Sequence, residues 1–372
     1  MKEKINQLSE KYFPRVVQLR RLIHSNPELS WEETQTSALV AEELKKAGIE
    51  VHTGIAKTGV IGILKGENPD SKCIALRADM DALPINEQNK IDYCSKNPGK
   101  MHACGHDVHT ANLLGVAMIL SEMKEEIEGT IKFIFQPSEE KIPSGAEAMI
   151  KAGALENPKP DKIFGLHVSP ELEVGTLGFC GGKFMASSDE IYLTVIGKGG
   201  HAAQLQNLVN PLLVASEILL ALQTISDATI PVVLSFGKIE GKGATNIVPD
   251  KVEIAGTLRC FDEKIRIELH QKIKSIAESI AKKSNATCTV NIMVGYPVLI
   301  NNDIVTAKAK TLAQDFIGNQ NVKDIPTRMG SEDFAYYTHH TPPVFIAWAL
   351  ATPQKVLYRA CTPLLLMLMK MP

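Results

Sequence analysis

The sequence predicts a discontinuous two-domain α/β protein, in which a larger α/β domain is interrupted by a smaller α+β one. Three observations carry this. Short apolar, β-rich runs (VIGILKG, CIALRAD, IKFIFQP) are separated by turns or by the helical stretch TANLLGVAMILSEMKEEI, and strands alternating with helices make a sheet with covered faces. From about Asp189 to Tyr296 the character changes to a run of two helices and at least four strands, the size of a small inserted domain. After Tyr296 the helix DIVTAKAKTLAQDFIG and the strand-like PPVFIAW resume the first pattern.

The elements follow in order. Residues 1–23 and 31–48 space their apolar positions as amphipathic helices, and the second closes on lysines and a glycine, as helix C-termini favour. TANLLGVAMILSEMKEEI is expected to alternate apolar and polar faces. The inserted stretch reads as EIYLTVIGKGG, a helix NPLLVASEILLALQTI, VVLSFGKIEG, KVEIAGTLRC, a helix EKIRIELHQKIKSIAESIAKKSN and TCTVNIMVGY. Ligand sites in α/β sheets gather at the carboxyl ends of strands, and the polar clusters of this chain sit there.

Composition excludes several classes. With 372 residues, 44% hydrophobic and 22% charged, the chain can bury a sizeable core, and a formal charge of −2 with no long run of one sign gives no track for nucleic acid and no membrane-surface patch. The N-terminus lacks the unbroken apolar stretch of a signal peptide, and no apolar run approaches a membrane span, so a soluble, cytoplasmic protein is expected. Seven scattered cysteines without CxxC pairing argue against a disulfide framework. Only Cys104 has neighbours that suggest chemistry.

Those neighbours are the segment MHACGHDVH, which packs Met101, His102, Cys104, His106, Asp107 and His109 into nine residues. A thiolate and an imidazole two apart on a glycine turn can face one cation, with Asp107 or a nearby histidine behind them, so a metal site is the simplest reading. In QPSEE, Glu139 and Glu140 end the strand IKFIF, where one could bind metal and the other take a proton from water; the plainer reading is a solvated helix start. His167 ends the apolar run FGLHV as a further candidate ligand, and Asp79 and Asp81 in LRADMDALP could orient ligands, coordinate or simply make a turn. In the inserted domain, His201 of GKGGHAA could donate to a developing oxyanion and Arg259 of GTLRCF could pair with a carboxylate, with Asn246 of TNIVPD nearby in sequence; a plain surface position is the equal alternative for either. Glu332 and Asp333 in MGSEDFAYY read as no more than a helix cap.

In this order, LRADMDALP, MHACGHDVH, QPSEE, GLHV, GKGGHAA and GTLR resemble the M20 metallopeptidase superfamily, specifically its amidohydrolase branch of hippurate, N-acyl-amino-acid and auxin-conjugate hydrolases, from about LRRLIHSNPELSWEE through MGSEDFAYY. The resemblance implies a zinc-peptidase-like α/β/α catalytic domain (1–186 and 296–372) with an inserted lid that also forms a homodimer (187–295). It implies a two-metal centre of zinc, manganese, cobalt or nickel, with Cys104, His106, Glu140 and His167 as ligands. Glu139 would be the general base that activates water, His201 the lid histidine that stabilises the tetrahedral intermediate, Asn246 and Arg259 the contacts to the substrate carboxylate, and Asp79, Asp81 and Asp107 supports. The substrate implied is a small N-acyl amino acid, cleaved at its amide bond.

The chain departs from that pattern at its end. The family carries one more ligand histidine near the C-terminus, whereas the tail from residue 346, IAWALATPQKVLYRACTPLLLMLMKMP, has none. A reading-frame slip would account for it. Joining the last base of each codon to the first two of the next, synonymous choices turn the tail into YRLGTGNTAKGIISGMHTPSFNVDEDA, which resembles the family's ending. Trp348 with Ala349 must give Gly, Met369 with Lys370 Glu, and Met371 with Pro372 Ala, while Cys361 with Thr362 gives only His or Tyr. A centre short of one ligand is expected to hold its second ion poorly and to turn over slowly. The rival readings are an aminopeptidase or carboxypeptidase of the same superfamily, a thiol hydrolase with Cys104 as nucleophile, which leaves Glu139, Glu140 and His167 unexplained, and a metal-binding relative without turnover.

Overall fold

The apolar runs become strands of one eight-stranded sheet: β1 (Glu50–Ile55), β2 (Gly59–Lys65), β3 (Cys73–Asp79), β4 (Thr130–Gln136), β5 (Lys162–Ser169), β6 (Leu177–Phe179), β7 (Val322–Asp324) and β8 (Pro343–Ala349). This computed structural model describes residues 1–226 and 231–349. The described chain divides into two units: Met1–Phe184, Ile300–Pro326 and the residues from Asp333 onward in the first, Met185–Leu299 and Thr327–Glu332 in the second. The sequence reading set the insertion at 187–295. The second unit also takes in Thr327–Glu332, because Met185 bridges Arg328 and the Ala186 N–H donates to the carbonyls of Arg328 and Gly330.

In the first unit the strand order is β1-β2-β4-β3-β5-β8-β6-β7. β4, β3, β5 and β8 run parallel, β2 is antiparallel to both β1 and β4, and β6 is antiparallel to β8. Every residue of β3, β4 and β8 is buried, which is why these segments read as mainly apolar runs, with Arg77, Asp79 and Lys132 as charged exceptions, and not as alternating ones. The faces are covered by helices that include α1 (Lys2–Ser25), α2 (Thr34–Lys46), α3 (His106–Glu122), α4 (Gly145–Lys151) and α5 (Asp303–Ile317). Their apolar stripes, among them Leu19, Val40, Leu44, Leu114 and Ala309, share one core with Leu76, Phe133 and Trp348 of the sheet.

The structure corrects the expectation for α3. It begins at His106, inside the MHACGHDVH motif, and is buried from His106 through Leu120, so it has no polar face. A helix closed in on all sides is mainly apolar all round, and the polar residues of α3 gather at its two ends, His106–Asn112 and Ser121–Glu122. The atypical tail begins inside β8: Ile346–Ala349 complete that strand, paired to β5 as far as Ala349 opposite Ser169. Residues 350–372, where the altered frame would place the missing histidine, lie outside the described residues.

The second unit is a four-stranded antiparallel sheet in the order Val232–Glu240, Lys251–Cys260, Asp189–Ile196, Thr287–Val294. Burial alternates along Asp189–Ile196, as in a sheet with one face packed and one in water. The packed face meets the helices Pro211–Gln223 and Glu263–Lys283 through Ile191, Leu193, Val214, Ile218, Leu258 and Ile273. Both helices start on side-chain caps, Asn210 accepting from the Leu212 N–H and Asp262 from the Lys264 N–H. No helix among the described residues is long and apolar enough to cross a membrane, and the six described cysteines are free thiols.

Candidate metal centre

The carboxyl ends of β3, β4 and β5 bring together residues from three of the motifs. Cys104, His106 and His167 place one donor atom each within 4.8 Å of one another, and so do His106, Glu139 and Glu140. Cys104 Sγ lies 3.3 Å from His167 Nε2, and His106 Nε2 lies 3.8 Å from Glu140 Oε1. His106 is buried, whereas Cys104, His167 and Glu140 are half-buried, so the donor set opens to one side.

Local structure explains the convergence. Gly105 caps α3 with φ of 92°, and a Cβ there would stand 2.5 Å from Val168 Cγ2, so only glycine lets the Cys104–His106 turn settle against β5. Past β4, three consecutive backbone amides are held by two buried carboxylates. Ser138, itself at φ of 50°, donates to Glu33 Oε1 at 2.9 Å, and Glu139 and Glu140 donate to Asp81 Oδ1 and Oδ2 at 3.0 Å each. Asp81 Oδ1 also meets His106 Nδ1 at 3.2 Å. An imidazole that gives its Nδ1 proton to a carboxylate turns its Nε2 lone pair outward, toward Glu140.

Asp79 is spent elsewhere. It pairs with Arg77 (2.6 Å to NH1) and His109 (2.6 Å to Nδ1), all three buried. Asp107 faces α1, with Oδ2 2.7 Å from Arg20 Nε and 2.8 Å from His24 Nδ1. The structure therefore separates the three supporting aspartates. Asp81 bonds a candidate ligand directly, Asp79 bonds His109 while its Oδ2 stands 3.8 Å from His106 Nε2, and Asp107 ties the start of α3 to α1.

Electrostatics in the cluster are conflicted in a way a cation relieves. Burial raises the Cys104 thiol, but the neighbouring imidazoles of His106 and His167 outweigh it and bring it down to about 6. Glu140 is pushed up to about 8, first by burial and then by the Cys104 and Asp81 charges. Burial works against the charged form of His106, yet Asp79 and Asp81 raise it well above its ordinary value. Two buried polar atoms, His106 Nε2 and Glu140 Oε1, have no hydrogen-bond partner. Unpaired buried donors and acceptors cost free energy, and here they belong to the imidazole, carboxylate and thiol set that suits zinc and its neighbours. The donor set fits a divalent metal.

His201, Asn246 and Arg259 lie in the second unit. His201 is exposed in a two-residue strand, with Nδ1 accepting from the Ala203 N–H at 3.2 Å, and it sits beside Asn246, whose carbonyl accepts from the Ala202 N–H. Arg259 donates to the Met329 carbonyl at 3.0 Å and to Ser331 Oγ at 3.3 Å.

The sequence reading missed Asp333. It does not cap the helix that follows it; its fully buried carboxylate accepts from Arg77 NH2 (2.7 Å), Gln136 Nε2 (2.8 Å), Ser144 Oγ (2.7 Å) and the Ala146 N–H in the first turn of α4 (2.9 Å). It thus joins β3 and β4 to α4, just beyond the Glu139–Glu140 turn. The signal was available in CIALRAD, where an arginine within a buried strand requires a buried partner.

Thiol, imidazoles and carboxylates gathered at strand ends in an α/β domain define the framework of a hydrolase of the metallopeptidase type, and comparison with known proteins agrees. The family described as Peptidase family M20/M25/M40 matches residues 75–359. The IAA-amino acid hydrolase ILR1-like 5 of Arabidopsis thaliana is 42% identical over 342 residues, covering 90% of this chain and 77% of that protein. The N-acetyl-L-cysteine deacetylase of Bacillus subtilis (strain 168) is 39% identical, covering 89% and 79%. The crystal structure of the Bacillus subtilis YXEP protein, a dinuclear metal binding peptidase from the M20 family, superposes with a TM-score of 0.81 at 31% identity over 97% of this chain and 98% of that one. The chain belongs to peptidase family M20/M25/M40, in its amidohydrolase branch.

Proposed function

We propose that this chain is a metal-dependent amidohydrolase that cleaves the amide bond of N-acyl amino acids. The observation that carries the proposal is the convergence of Cys104, His106, His167 and Glu140, with two orphaned donor atoms among them, beside a second carboxylate at Glu139. The substrate class follows the relatives, one named for indoleacetyl-amino acids and one for N-acetyl-L-cysteine.

Cys104, His106, His167 and Glu140 would hold the divalent ions, of which the family's centre takes two. When bound, the metal supplies Lewis acidity that polarises the amide carbonyl and acidifies water. Glu139 does the proton work. Its carboxylate is buried, its own N–H is fixed to Asp81, and its Oε1 lies 3.4 Å from the Asp333 N–H. A carboxylate so held takes a proton from water and returns it to the leaving amine. His201 keeps a proton on Nε2, because Nδ1 is already an acceptor, and that donor is proposed for the developing oxyanion. Asn246 and Arg259 are proposed for the substrate carboxylate. The second unit is proposed as a lid and a homodimer contact, supported by Leu213 and Leu220, which its helix Pro211–Gln223 leaves 69% and 74% exposed. A cytoplasmic location is proposed with it.

The test is elemental analysis of the purified chain combined with hydrolysis of benzoyl-, acetyl- and indoleacetyl-amino acids, before and after chelator. Metal at the centre and chelator-sensitive release of free amino acid are expected; hydrolysis that survives complete metal removal overturns the proposal. The tail carries its own test. Restoring the alternative frame is expected to raise turnover and metal content together, and a coding sequence with stop codons in that frame ends the frame-slip reading.

A further inference from the structure

The turn that carries Cys104 and His106 and the strand that carries His167 meet at one residue, Val168. On one side, the missing Cβ of Gly105 lets the turn lie against the Val168 side chain. On the other, the Val168 carbonyl accepts from His167 Nδ1 at 2.7 Å, which leaves His167 Nε2 facing Cys104. The placement of all three candidate ligands therefore depends on where Val168 sits.

The sheet alone does not hold it on both edges. β3 flanks β5 only as far as Arg77 opposite Gly165, whereas β5 continues to Ser169 and stays paired with β8. Past Gly165, one edge of β5 has lost its strand partner. There the Val168 N–H donates to His109 Nε2 at 3.0 Å. A backbone N–H can only donate, so Nε2 is the acceptor and the ring proton sits on Nδ1, which donates to Asp79 Oδ1 at 2.6 Å. Arg77 NH1 in turn holds Asp79 Oδ2 at 2.6 Å. His109 is buried, and both of its nitrogens are committed, so it is not free to bind an ion.

We infer that His109 is a positioning residue of the metal centre: its ring replaces the carbonyl that a longer β3 would offer to Val168, and through Val168 it aims His167 and seats the Cys104–His106 turn. This rests on the metal-binding reading above. The relay runs Arg77, Asp79, His109, Val168, His167, and none of its first three members is among the proposed ligands. The Val168 carbonyl is the partner bonded to the ligand itself, and loss of a partner at that position alters metal affinity about 10- to 100-fold; His109 acts by holding that carbonyl in place.

Two polar replacements separate aiming from mere packing. An asparagine amide reaches the position of Nδ1, and a glutamine amide that of Nε2. H109N therefore keeps the bond to Asp79 and loses the one to Val168, whereas H109Q keeps an acceptor for Val168. The metal-stripped full chain and both variants are titrated with Cd2+ alone, following the ultraviolet charge-transfer band of cadmium on thiolate, with far-UV circular dichroism and Tm measured in parallel. H109N is expected to weaken Cd2+ binding about tenfold or more, while H109Q stays near the parent. The inference is overturned if H109N binds as the parent does, or if both variants lose affinity and Tm equally. Should H109N not fold, H109Q alone decides, since weakened binding in a folded H109Q contradicts the relay. A parent chain that shows no thiolate–cadmium band at all defeats the metal-binding reading itself, and the inference with it.

Discussion

Asp189 of the second unit offers a prediction whose size follows from the structure. Its buried carboxylate accepts from Arg266 Nε at 2.9 Å and again from Arg266 NH2, from His270 Nε2 at 2.6 Å and from the Gly295 N–H at 3.0 Å. Burial alone would raise its pKa, but the bonds from Arg266 and His270 win and lower it from 3.8 to about 2. At about 1.4 kcal/mol per pH unit, that gap corresponds to about 2 kcal/mol of folding stability. Because the folded value lies below the unfolded one, the contribution is present above about pH 4 and is lost as pH falls toward about 2. The Asp189→Asn variant keeps the volume and one acceptor, and Arg266 keeps Glu263 at 3.0 Å, so the loss at pH 7 should stay near about 2 kcal/mol and below the roughly 3–5 kcal/mol of a fully broken buried pair. Urea unfolding followed by circular dichroism, with hydrogen exchange along Asp189–Ile196 to locate the effect, measures it at pH 7 and pH 3. The gap between parent and variant should narrow at pH 3. A variant within about 0.5 kcal/mol of the parent at pH 7, the range of an ordinary surface change, or a gap that does not shrink with pH, refutes the reasoning.

Other substitutions test the candidate centre. Glu139→Gln should lower hydrolysis of the best substrate in the panel by about 10²-fold or more while leaving metal content near that of the parent; unchanged turnover removes Glu139 from the proton path. Gly105→Ala forces a Cβ to within 2.5 Å of Val168 Cγ2 at a φ of 92°, so it should cost about 1–3 kcal/mol and reduce metal uptake. Calorimetry and elemental analysis would show both losses, and a stable, fully loaded variant would show that the close approach is dispensable.

The legible parts of the molecule were those where burial leaves a plain mark on the sequence. VIGILKG, CIALRAD and IKFIFQP became β2, β3 and β4 because strands covered on both faces are mostly apolar, the exceptions, such as Arg77 and Asp79, being paired in the interior. β1 is largely exposed, and β6 and β7 have three residues each, so they carry too little pattern to stand out. The insertion of β8 between β5 and β6 is a long-range pairing on which local periodicity is silent. The motifs named Cys104, His106, Glu139, Glu140 and His167, and these side chains do converge. What the sequence withheld is their mounting. The grip of Asp81 on two consecutive amides and the burial of Asp333 among Arg77, Gln136 and Ser144 depend on residues far apart in the chain, with no spacing to betray them.

The place of β8 has a consequence for synthesis. It is the last described strand to leave the ribosome, yet it lies between β5 and β6, where β5 is its parallel neighbour. Until Pro343–Ala349 emerges, a nascent chain presents the flank of β5 as an open template, with Phe164 and Val168 uncovered nearby, which is the kind of surface that invites wrong pairing. The sheet therefore closes only once Pro343–Ala349 has been made, and chaperone capture of chains arrested or truncated before it should concentrate on that seam.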